Sequence, residues 1–412
     1  MTRSDSSKSN RHHSALNEPL FLRYFPSSCF STIASWLIRF ILGWSAWEIT
    51  HSALWVGVVA GAMLLPTFVL SPIFGIVSDR INPRNGLLVT VSLHGLLAGV
   101  AGLTYQLGWF ELPWLIFFAT LLGAVGSAHM PIRLALIPRL VRREALPSAI
   151  GYSAIIFNTS RILGPALGAW LITQTSIPMA FFTAMLLSAV AMVLLLSVKG
   201  IRPVKQRKKS RLAQELGAGL AYVKHHRGIR LIFSFTLING LLGRTVIELL
   251  PALSGQLLNG DSRTLATLTA AAGIGSIVGG VIVSRQSGSE RRLLNLVIGS
   301  LLIGALLLMT VQWLHGLVAL SALITIISMI TTIVATCSQA LAQLLVAEEY
   351  RGRVMSLWGV LALGTPAFGT LAMGALADIL GFPTVLAIFS ILAIPGIIFL
   401  FGRRDWLLQA SR

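Results

Sequence analysis

The sequence contains few charged residues, and acidic residues are the scarcest of them. Only 11% of the 412 residues are charged, and 14 Asp and Glu stand against 32 Lys and Arg, for a formal net charge of +18. Water-soluble domains carry about 25% charged residues. Because 55% of the residues are hydrophobic and so few are charged, the composition excludes an ordinary soluble domain and predicts a membrane protein.

Cysteine is also scarce, and the signatures of common enzyme classes are missing. Cys29 and Cys337 lie far apart inside apolar segments, so no disulfide framework is predicted. No Gly-Lys pair occurs, which excludes a Walker A motif and ATP hydrolysis by this chain. HExxH and His-x4-Asp motifs are absent, and His94 and His129 stand isolated, without ligand-spaced partners. We therefore expect no enzyme activity, no metal and no cofactor.

Long apolar runs fill most of the chain. A membrane-spanning helix needs about 20 apolar residues, and backbone groups in lipid must be paired within the segment. The sequence therefore predicts an all-α membrane protein with twelve transmembrane helices. The predicted spans are 28–49, 53–77, 86–104, 114–131, 149–173, 179–198, 229–250, 264–284, 293–313, 317–339, 354–377 and 382–401.

The basic residues predict how the helices are oriented. All but four of the 32 Lys and Arg fall in the two tails or in loops near 78–85, 132–148, 199–230, 285–292 and 340–353. The exceptions are Arg39, Arg161 and Arg244 inside spans and Arg263 in a loop on the opposite face. The positive-inside rule then places both termini in the cytoplasm. An even number of helices agrees with this, because it puts the two termini on the same face. We expect a multi-pass membrane protein with its basic loops on the cytoplasmic face.

A basic stretch near the middle divides the chain into two halves. Its run KQRKKSR suits a solvated linker beside anionic lipid, and nucleic acid is not expected as a partner. Leu212, Leu216, Leu220 and Val223 follow at a spacing that predicts a short helix on the membrane surface. The predicted domains are a disordered cytoplasmic tail (1–27), an amino-terminal six-helix half (28–198), the basic linker with its surface helix (199–228), a carboxy-terminal six-helix half (229–401) and a cytoplasmic tail (402–412).

Charged residues inside the spans are candidates for a substrate and proton path. An arginine at the centre of a spanning helix costs about 2.5–3.5 kcal/mol, so Arg39, Arg161 and Arg244 require a reason to be there. Arg244 and Glu248 lie four residues apart, on one helix face, and can pair with each other. Two interpretations stay open, a structural salt bridge that lets the helix insert and a functional group of the transport path.

Glu248 is the acidic residue that lies deepest in a predicted span. We hypothesise that it takes up and releases the proton that drives transport, since arginine stays protonated and cannot do so. Three arginines against one carboxylate leave a positive cavity, which favours an anionic small molecule as the substrate. Asn158 and Asn239 also lie in spans, where they can bind substrate or bond a neighbouring helix.

The segment between the second and third spans reads GIVSDRINPR and resembles the corresponding loop of major facilitator transporters. The residues that carry the resemblance are Gly75, Asp79, Arg80 and Arg84. It implies a cytoplasmic gate in which Asp79 faces the start of the eleventh helix, near Arg351 and Arg353. A carboxylate beside two arginines and a helix amino-terminus is favoured by charge-assisted hydrogen bonds and by the helix dipole.

The fifth span carries a second pattern, which resembles the antiporter signature of drug-exporting major facilitators. Its residues are Gly151, Ser160, Gly164, Pro165 and Gly168. Ser160 and Ala169 stand where further glycines would be, and both departures are to small residues. Small residues allow two helices to approach closely and Pro165 bends the helix, although any tightly packed helix is also rich in glycine. The resemblance favours an exporter.

The segments 131–169 and 339–357 resemble the branch of this superfamily that contains enterobactin (siderophore) exporters and macrolide efflux proteins. The resemblance implies two six-helix halves and proton-coupled export, by antiport, of an anionic siderophore or a related secreted metabolite or drug. The proton gradient would replace a cofactor. A macrolide-like drug efflux pump and a lipid headgroup flippase of the same fold stay open as alternatives. The expected partners are a small-molecule substrate and membrane lipids, and we expect a monomer.

Overall fold

The computed structural model describes residues 14–78, 81–200, 212–286, 290–347 and 350–403, and these ranges form an all-α structure without strands. The elements of the amino-terminal half are six long helices. They are α1 (Pro19–Thr50), α2 (Ala53–Ser78), α3 (Pro83–Gln106), α4 (Leu112–Leu140), α5 (Leu146–Gln174) and α6 (Ile177–Leu196). Short 3-10 turns at Ala15–Asn17 and Arg143–Ala145 precede α1 and α5.

The carboxy-terminal half repeats this plan after a short helix, α7 (Leu212–His225). Its seventh span is built from α8 (Arg227–Asn239), a π-helical turn (Gly240–Arg244) and α9 (Thr245–Glu248), and α10 (Leu250–Leu258) extends it. The remaining helices are α11 (Ser262–Ser284), α12 (Glu290–Met309, followed by a 3-10 turn at Thr310–Trp313), α13 (Leu317–Leu345), α14 (Arg351–Leu380) and α15 (Phe382–Gly402). Twelve helices in the described residues are long and apolar enough to cross a membrane, which confirms the predicted number.

Helix pairing is the same in the two halves. In the first half α2 packs on α4, α3 packs on α6, and α1 packs on α5 and α6. In the second half α11 packs on α13 and α12 packs on α15, the positions that correspond to the first two of these pairs. The fold is therefore the predicted bundle of twelve spans in two six-helix halves.

The bundle has two ends, which differ in the elements they carry. The linker end carries α7 and the first residues of α3, α5 and α14, and the far end carries the turns at His51, Gly108, Asn259 and Gly381. Contacts between the halves join α2 to α14, α5 to α11, and α1 to α10. Because α10 is the far-end part of the seventh span, the α1–α10 contact brings the halves together at the far end.

The first helix begins earlier than predicted. It begins at Pro19, so residues 19–27 belong to a helix and not to a tail. Phe21 and Tyr24 are buried in this segment, in a cluster that also contains Leu136 and Leu195. These aromatic residues order the segment because they pack on the linker end of α4 and α6. The polar residues around them lower the hydropathy of the segment, so hydropathy did not predict the helix.

Two further span boundaries also differ from the sequence interpretation. Helix α4 continues to Leu140, beyond the predicted end at 131, so Arg133 lies buried in a helix and donates to the Ser153 carbonyl oxygen (3.4 Å). The seventh span, predicted as a continuous helix over 229–250, contains instead a π-helical turn and a break at Leu249. The break occurs because Pro251 has no N–H for the carbonyl of Ile247.

The predicted surface helix is present as α7, and it packs against the linker end of α14. Gly219 lies against the Arg353 side chain: a Cβ added at Gly219 would lie 3.1 Å from the Arg353 Cβ. The Tyr222 ring stacks on that of Tyr350 (4.7 Å between centroids), and its hydroxyl accepts a hydrogen bond from the Ala347 N–H (3.3 Å). The linker helix is thus attached to the carboxy-terminal half.

Candidate functional site

Four charged side chains from both halves meet around one cavity between the halves. Arg39 comes from α1 and Arg161 from α5, whereas Arg244 ends the π-helical turn and Glu248 ends α9. The sequence predicts all four as charges inside spans, with Arg244 able to pair with Glu248, and the fold brings Arg39 and Arg161 to them.

Glu248 is the centre of this cluster. Its carboxylate accepts a hydrogen bond from the Arg39 guanidinium through Oε2, and Arg244 Nη2 lies 2.8 Å from Oε1. The Glu248 side chain is 6% exposed, whereas those of Arg39 and Arg244 are 29% and 32% exposed. One oxygen is therefore paired with the amino-terminal half and the other with the carboxy-terminal half. We call this group the Glu248 triad.

The sequence predicts one of the two pairs in this triad. Arg244 and Glu248 are four residues apart on one helix, so their pairing follows from helical periodicity. The Arg39–Glu248 pair joins residues 209 positions apart, and no periodicity in either segment indicates it. The pairing depends on the depth at which α1 and the seventh span cross.

The π-helical turn sets the position of Arg244 and Glu248. It runs from Gly240 to Arg244, and the Thr245 hydroxyl donates to the Gly240 carbonyl oxygen (2.8 Å) within it. Gly240 packs against Thr365 of α14, where an added Cβ would lie 2.7 Å from the Thr365 Cβ. Single π-helical turns are frequent at functional sites because they leave backbone groups free and re-aim the side chains that follow.

Arg161 differs from the other two arginines in its surroundings. It is 7% exposed, and its guanidinium lies 5.7 Å from the centre of the Trp36 ring. Arg39 contacts the same ring at 5.9 Å. Both carboxylate oxygens of Glu248 are already paired with Arg39 and Arg244. Among the described residues, therefore, no carboxylate neutralises Arg161 at salt-bridge distance.

The cavity between these groups is small. It holds about 80 Å³, and Trp36, Phe40, Met63, Pro165 and Ile247 are among the apolar side chains that line it. Glu248 is the carboxylate in its lining. Pockets for small organic ligands usually measure about 300–1,000 Å³. A ligand of that size requires the lining helices to separate.

The predicted antiporter residues place α5 against α1. A Cβ added at Gly164 would lie 2.6 Å from the Trp36 Cβ, and one at Gly168 would lie 2.6 Å from the Phe40 ring. Pro165, between them, lines the cavity. The small residues thus let α5 approach the segment of α1 that holds Trp36 and Arg39.

The other two residues of the fifth-span pattern lie nearer the linker end. Ser160 is buried, with 2% of its surface exposed. Gly151 is exposed, and a Cβ added there would meet no atom of the described structure within 4 Å. Within this pattern, therefore, Gly164 and Gly168 are the residues at which α5 closely approaches α1.

The two asparagines lie outside the lining of the cavity. Asn158 donates from its side chain to the Ala154 carbonyl oxygen of its own helix (2.9 Å). Asn239 is buried and donates to the Thr331 carbonyl oxygen of α13 (3.4 Å). The structure thus gives both asparagines protein partners, and the second stabilises the packing of α8 on α13.

The structure describes part of the predicted cytoplasmic gate. Asp79 and Arg80 lie outside the described residues, Gly75 lies in α2, and the Arg351 side chain at the start of α14 is outside the described part. Arg353 lies over the Tyr350 ring at 5.6 Å.

Arg84, also predicted in the gate, contacts the end of α6 in the structure. Its Nη2 donates to the Leu196 carbonyl oxygen (2.8 Å) and its Nε to that of Leu195 (3.3 Å). These are the last carbonyl groups of α6, of which that of Leu195 also accepts from the Val198 N–H (3.1 Å), and a cation there is favoured by the helix dipole. Arg84 therefore caps α6.

A contact at the far end was missed by the sequence interpretation. Asp378 of α14 accepts hydrogen bonds from the N–H groups of Ala53 (2.6 Å) and Leu54 (3.1 Å) and from the Ser52 hydroxyl. The Gln256 side chain of α10 also donates to it (3.2 Å). The aspartate at the end of an apolar helix was the available signal, but nothing in the sequence indicated its partner.

The histidines expected to be isolated lie side by side. The rings of His94 in α3 and His129 in α4 are 6.1 Å apart, and both histidines bond to Thr90. The spacing in each helix gave no sign of this pair because it forms across a helix interface. The two histidines are therefore neighbours rather than isolated, and both lie outside the lining of the cavity.

Comparison with known proteins places this geometry in a broader context. A sequence model described as "Major Facilitator Superfamily" matches residues 20–363. The Staphyloferrin A transporter of Staphylococcus aureus is 25% identical over 372 residues, which cover 90% of this chain and 92% of that protein. Macrolide efflux protein A of Streptococcus pyogenes is 24% identical over 370 residues, covering 88% of this chain and 90% of that protein.

Solved structures agree with the fold. The nucleoside transporter NupG superposes with a TM-score of 0.72 at 13% identity, covering 93% of this chain and 98% of that one. A bacterial homolog of the human lysosomal transporter Spinster, in an inward-facing and unoccupied conformation, gives a TM-score of 0.68 at 13% identity. The match covers 95% of this chain and 96% of that one. At these identities the likeness concerns the fold alone.

Proposed function

The chain belongs to the Major Facilitator Superfamily and is a membrane transporter rather than an enzyme, and we propose that it exports an anionic small molecule in exchange for protons. The proposed cargo is an anionic siderophore or a related secreted metabolite or drug. The relative named for macrolide efflux supports export as the direction, and the relative named for staphyloferrin A transport supports a siderophore as the cargo.

The observation that carries the proposal is the charge of the cavity. Three guanidinium groups and one carboxylate line it, and two of the guanidinium groups already share that carboxylate. The buried Arg161 has no carboxylate partner among the described residues, and a buried unpaired charge is unfavourable. An anionic group of the cargo would supply the missing partner, with bidentate hydrogen bonds of the kind that arginine forms with carboxylates.

The same charges disfavour a cationic cargo. A lipophilic cation would need a free carboxylate in the cavity, and both oxygens of Glu248 are held by Arg39 and Arg244. Unpairing them to bind a cation would leave two arginines without a partner in a partly desolvated site. We therefore place an anion above a cationic drug as the cargo.

Proton exchange in this proposal occurs at Glu248, the carboxylate that lines the cavity. Antiport requires that cargo and proton occupy the site in alternation. A cargo that presents an anionic group to Arg161 and a hydroxyl or amide donor to Glu248 meets this requirement, since its donor and a proton compete for the carboxylate oxygens. Protonation of Glu248 also ends its pairing with Arg39, which is one of the contacts between the two halves.

The orientation in the membrane is part of the proposal. We place the linker end, with its basic loops and α7, in the cytoplasm, together with both termini, in a bacterial cytoplasmic membrane. The far end then faces outward. In the structure the halves touch at the far end, through the α1–α10 contact and Asp378. On this orientation the halves are in contact on the outer side of the membrane.

Transport into inverted proteoliposomes tests the proposed function. The purified protein would be given an imposed proton gradient and a panel of an anionic hydroxycarboxylate siderophore, a catecholate, a cationic macrolide and a labelled phospholipid. We expect gradient-dependent accumulation of an anion, and its loss on Arg161→Ala. Accumulation of the macrolide alone, or lipid movement alone, would contradict the anionic cargo.

Two matched variants make the transport experiment specific. Arg133 is as buried as Arg161 and lies in the same half but outside the cavity lining, so Arg133→Ala controls for loss of a buried arginine. Glu48 is an exposed acidic residue of α1 outside the cavity, so Glu48→Gln controls for Glu248→Gln. We expect both controls to keep anion transport when they are compared at equal amounts of folded protein.

A further inference from the structure

A second carboxylate joins the two halves, at the far end of the bundle. Asp378 is on α14, in the carboxy-terminal half, and its hydrogen bonds go to the first residues of α2, in the amino-terminal half. The acceptors and donors are well matched, because one oxygen faces the Ala53 N–H and the other faces the Leu54 N–H and the Ser52 hydroxyl.

The amino-terminus of α2 needs such a partner. The first N–H groups of a helix have no acceptor within it, and a carboxylate there is favoured by the helix dipole and by charge-assisted hydrogen bonds. A helix is usually capped by the residue that precedes it. Here the Ser52 hydroxyl contacts the Trp55 N–H (3.3 Å), while the Ala53 and Leu54 N–H groups are capped by the opposite half.

Close packing continues from this cap along the α2–α14 contact. A Cβ added at Gly374 would lie 2.5 Å from the Ala53 carbonyl oxygen, so the backbones touch there. Further in, the Thr370 hydroxyl donates to the Gly57 carbonyl oxygen (3.2 Å). Gln256 of α10 joins the cap from the side. Three helices of both halves thus meet at the Asp378 carboxylate.

The cap is also suited to open and close. Asp378 is exposed at the end of the helix, so water can replace the protein donors when the halves separate. Separation would remove both α2 N–H groups from the carboxylate at once, since the carboxylate and Gln256 lie on the half that moves away from α2. The hydrogen bonds to α2 would therefore stabilise the far-end-closed state and be lost on opening.

We propose that Asp378 is the gating residue of the far end, and that its hydrogen bonds to the amino-terminus of α2 hold the transporter closed on that side. The inference does not depend on the cargo or on proton coupling. Asp378, which lies outside the cavity lining, would then control the balance between the far-end-closed and far-end-open states.

Distance measurements between spin labels at the far end test this proposal in the full chain. Cysteines replacing Glu111, between α3 and α4, and His315, between α12 and α13, place one exposed label on each half, in a background with Cys29→Ala and Cys337→Ala. We expect one short distance for the unmodified gate in lipid nanodiscs. Asp378→Ala removes three hydrogen bonds to the amino-terminal half and should add a longer distance. We expect the ratio of open to closed molecules to rise roughly tenfold or more, since the loss of one charge-assisted hydrogen bond corresponds to roughly tenfold.

Asp261 provides the matched control. It is an aspartate at the far end of the same half, it caps α11 through the Thr264 N–H (2.9 Å), and its hydrogen bonds stay within the amino-terminal turn of that helix. Asp261→Ala should leave the distance distribution unchanged. Asp378→Asn and Gln256→Ala should give intermediate shifts, and they keep the test valid should Asp378→Ala fold poorly.

Gly374→Val is the positive control, since its side chain would press on the Ala53 carbonyl oxygen and force the far end apart. A shift in Gly374→Val and in the Asp378 variants, with none in Asp261→Ala, supports the proposal. A shift in Gly374→Val with an unchanged distribution in Asp378→Ala and Asp378→Asn would overturn it. Equal shifts in the Asp378 and Asp261 variants would also overturn it, because they would show general loosening of the far end.

Discussion

Two carboxylates form contacts between the halves of this transporter, one in a buried and one in an exposed position. Glu248 is buried and holds two arginine side chains, one from each half. Asp378 is exposed and holds backbone N–H groups of α2. Breaking a buried ion pair costs much free energy, and protonation or a bound ion that neutralises one member changes its stability. An exposed helix cap can exchange its protein partners for water with little loss of free energy. The first arrangement suits coupling to ligands, and the second suits repeated opening.

The largest effect is expected from Glu248→Gln. It removes the charge that neutralises Arg39 and Arg244, and breaking a buried pair costs about 3–5 kcal/mol of folding free energy. We expect a lower melting temperature and loss of gradient-driven transport. Glu248→Asp, which keeps a titratable group, should recover part of both. Full proton-driven transport by Glu248→Gln at a normal protein level would show that Glu248 only stabilises the fold.

Arg161→Ala should affect transport more than stability. Its guanidinium has no carboxylate partner in the described structure, so its removal leaves no acid unpaired. We expect cargo affinity to fall roughly tenfold or more, as for loss of a charged hydrogen bond, in a binding titration by calorimetry. The melting temperature should change less than in Glu248→Gln. Unchanged affinity would remove Arg161 from the cargo site.

Asp261→Ala sharpens the comparison at the far end. The Thr264 N–H holds the pKa of Asp261 below its ordinary value, so the ionised form caps α11 best. Removing the cap should cost about 1 kcal/mol at neutral pH. This contribution is present above the ordinary Asp pKa and disappears as the pH falls through the lowered value. Melting curves of both proteins should therefore converge in acid, and a pH-independent difference would argue against the cap.

The smallest effect is expected from Asn158→Ala. Its side chain bonds to the carbonyl of Ala154 in its own helix and lies outside the cavity lining. Transport and stability should both stay close to those of the unmodified protein. A large loss of transport by this variant would place Asn158 on the substrate path, which is one of the two roles that the sequence leaves open.

Much of the fold follows from properties that the chain carries locally. The number of spans and the short linker helix are set by apolar length and by periodicity, and both are present. The start of α1 was missed because Phe21 and Tyr24 are ordered by contacts with Leu136 and Leu195, distant in sequence. Pro251 was a signal in the sequence for the break in the seventh span, whereas the π-helical turn begins at Gly240, which packs against the distant Thr365.

The candidate site could be predicted residue by residue but not as an arrangement. Charges inside spans are rare enough to identify Arg39, Arg161, Arg244 and Glu248 from hydropathy alone. The Arg39–Glu248 pair and the position of Arg161 beside it required the depth and rotation of three helices. Asp378 was missed for a related reason, since an acid at the end of a span is ordinary until the opposite helix is known to begin beside it.

Proton exchange on cargo binding is the most direct measurement of the proposed coupling at Glu248. Purified transporter in weakly buffered detergent solution would be mixed with saturating cargo while a pH indicator follows the release or uptake of protons. Antiport through Glu248 predicts proton release by the unmodified protein near the pH at which Glu248 titrates, and none by Glu248→Gln. Proton uptake by the unmodified protein, or equal release by Glu248→Gln, would contradict it.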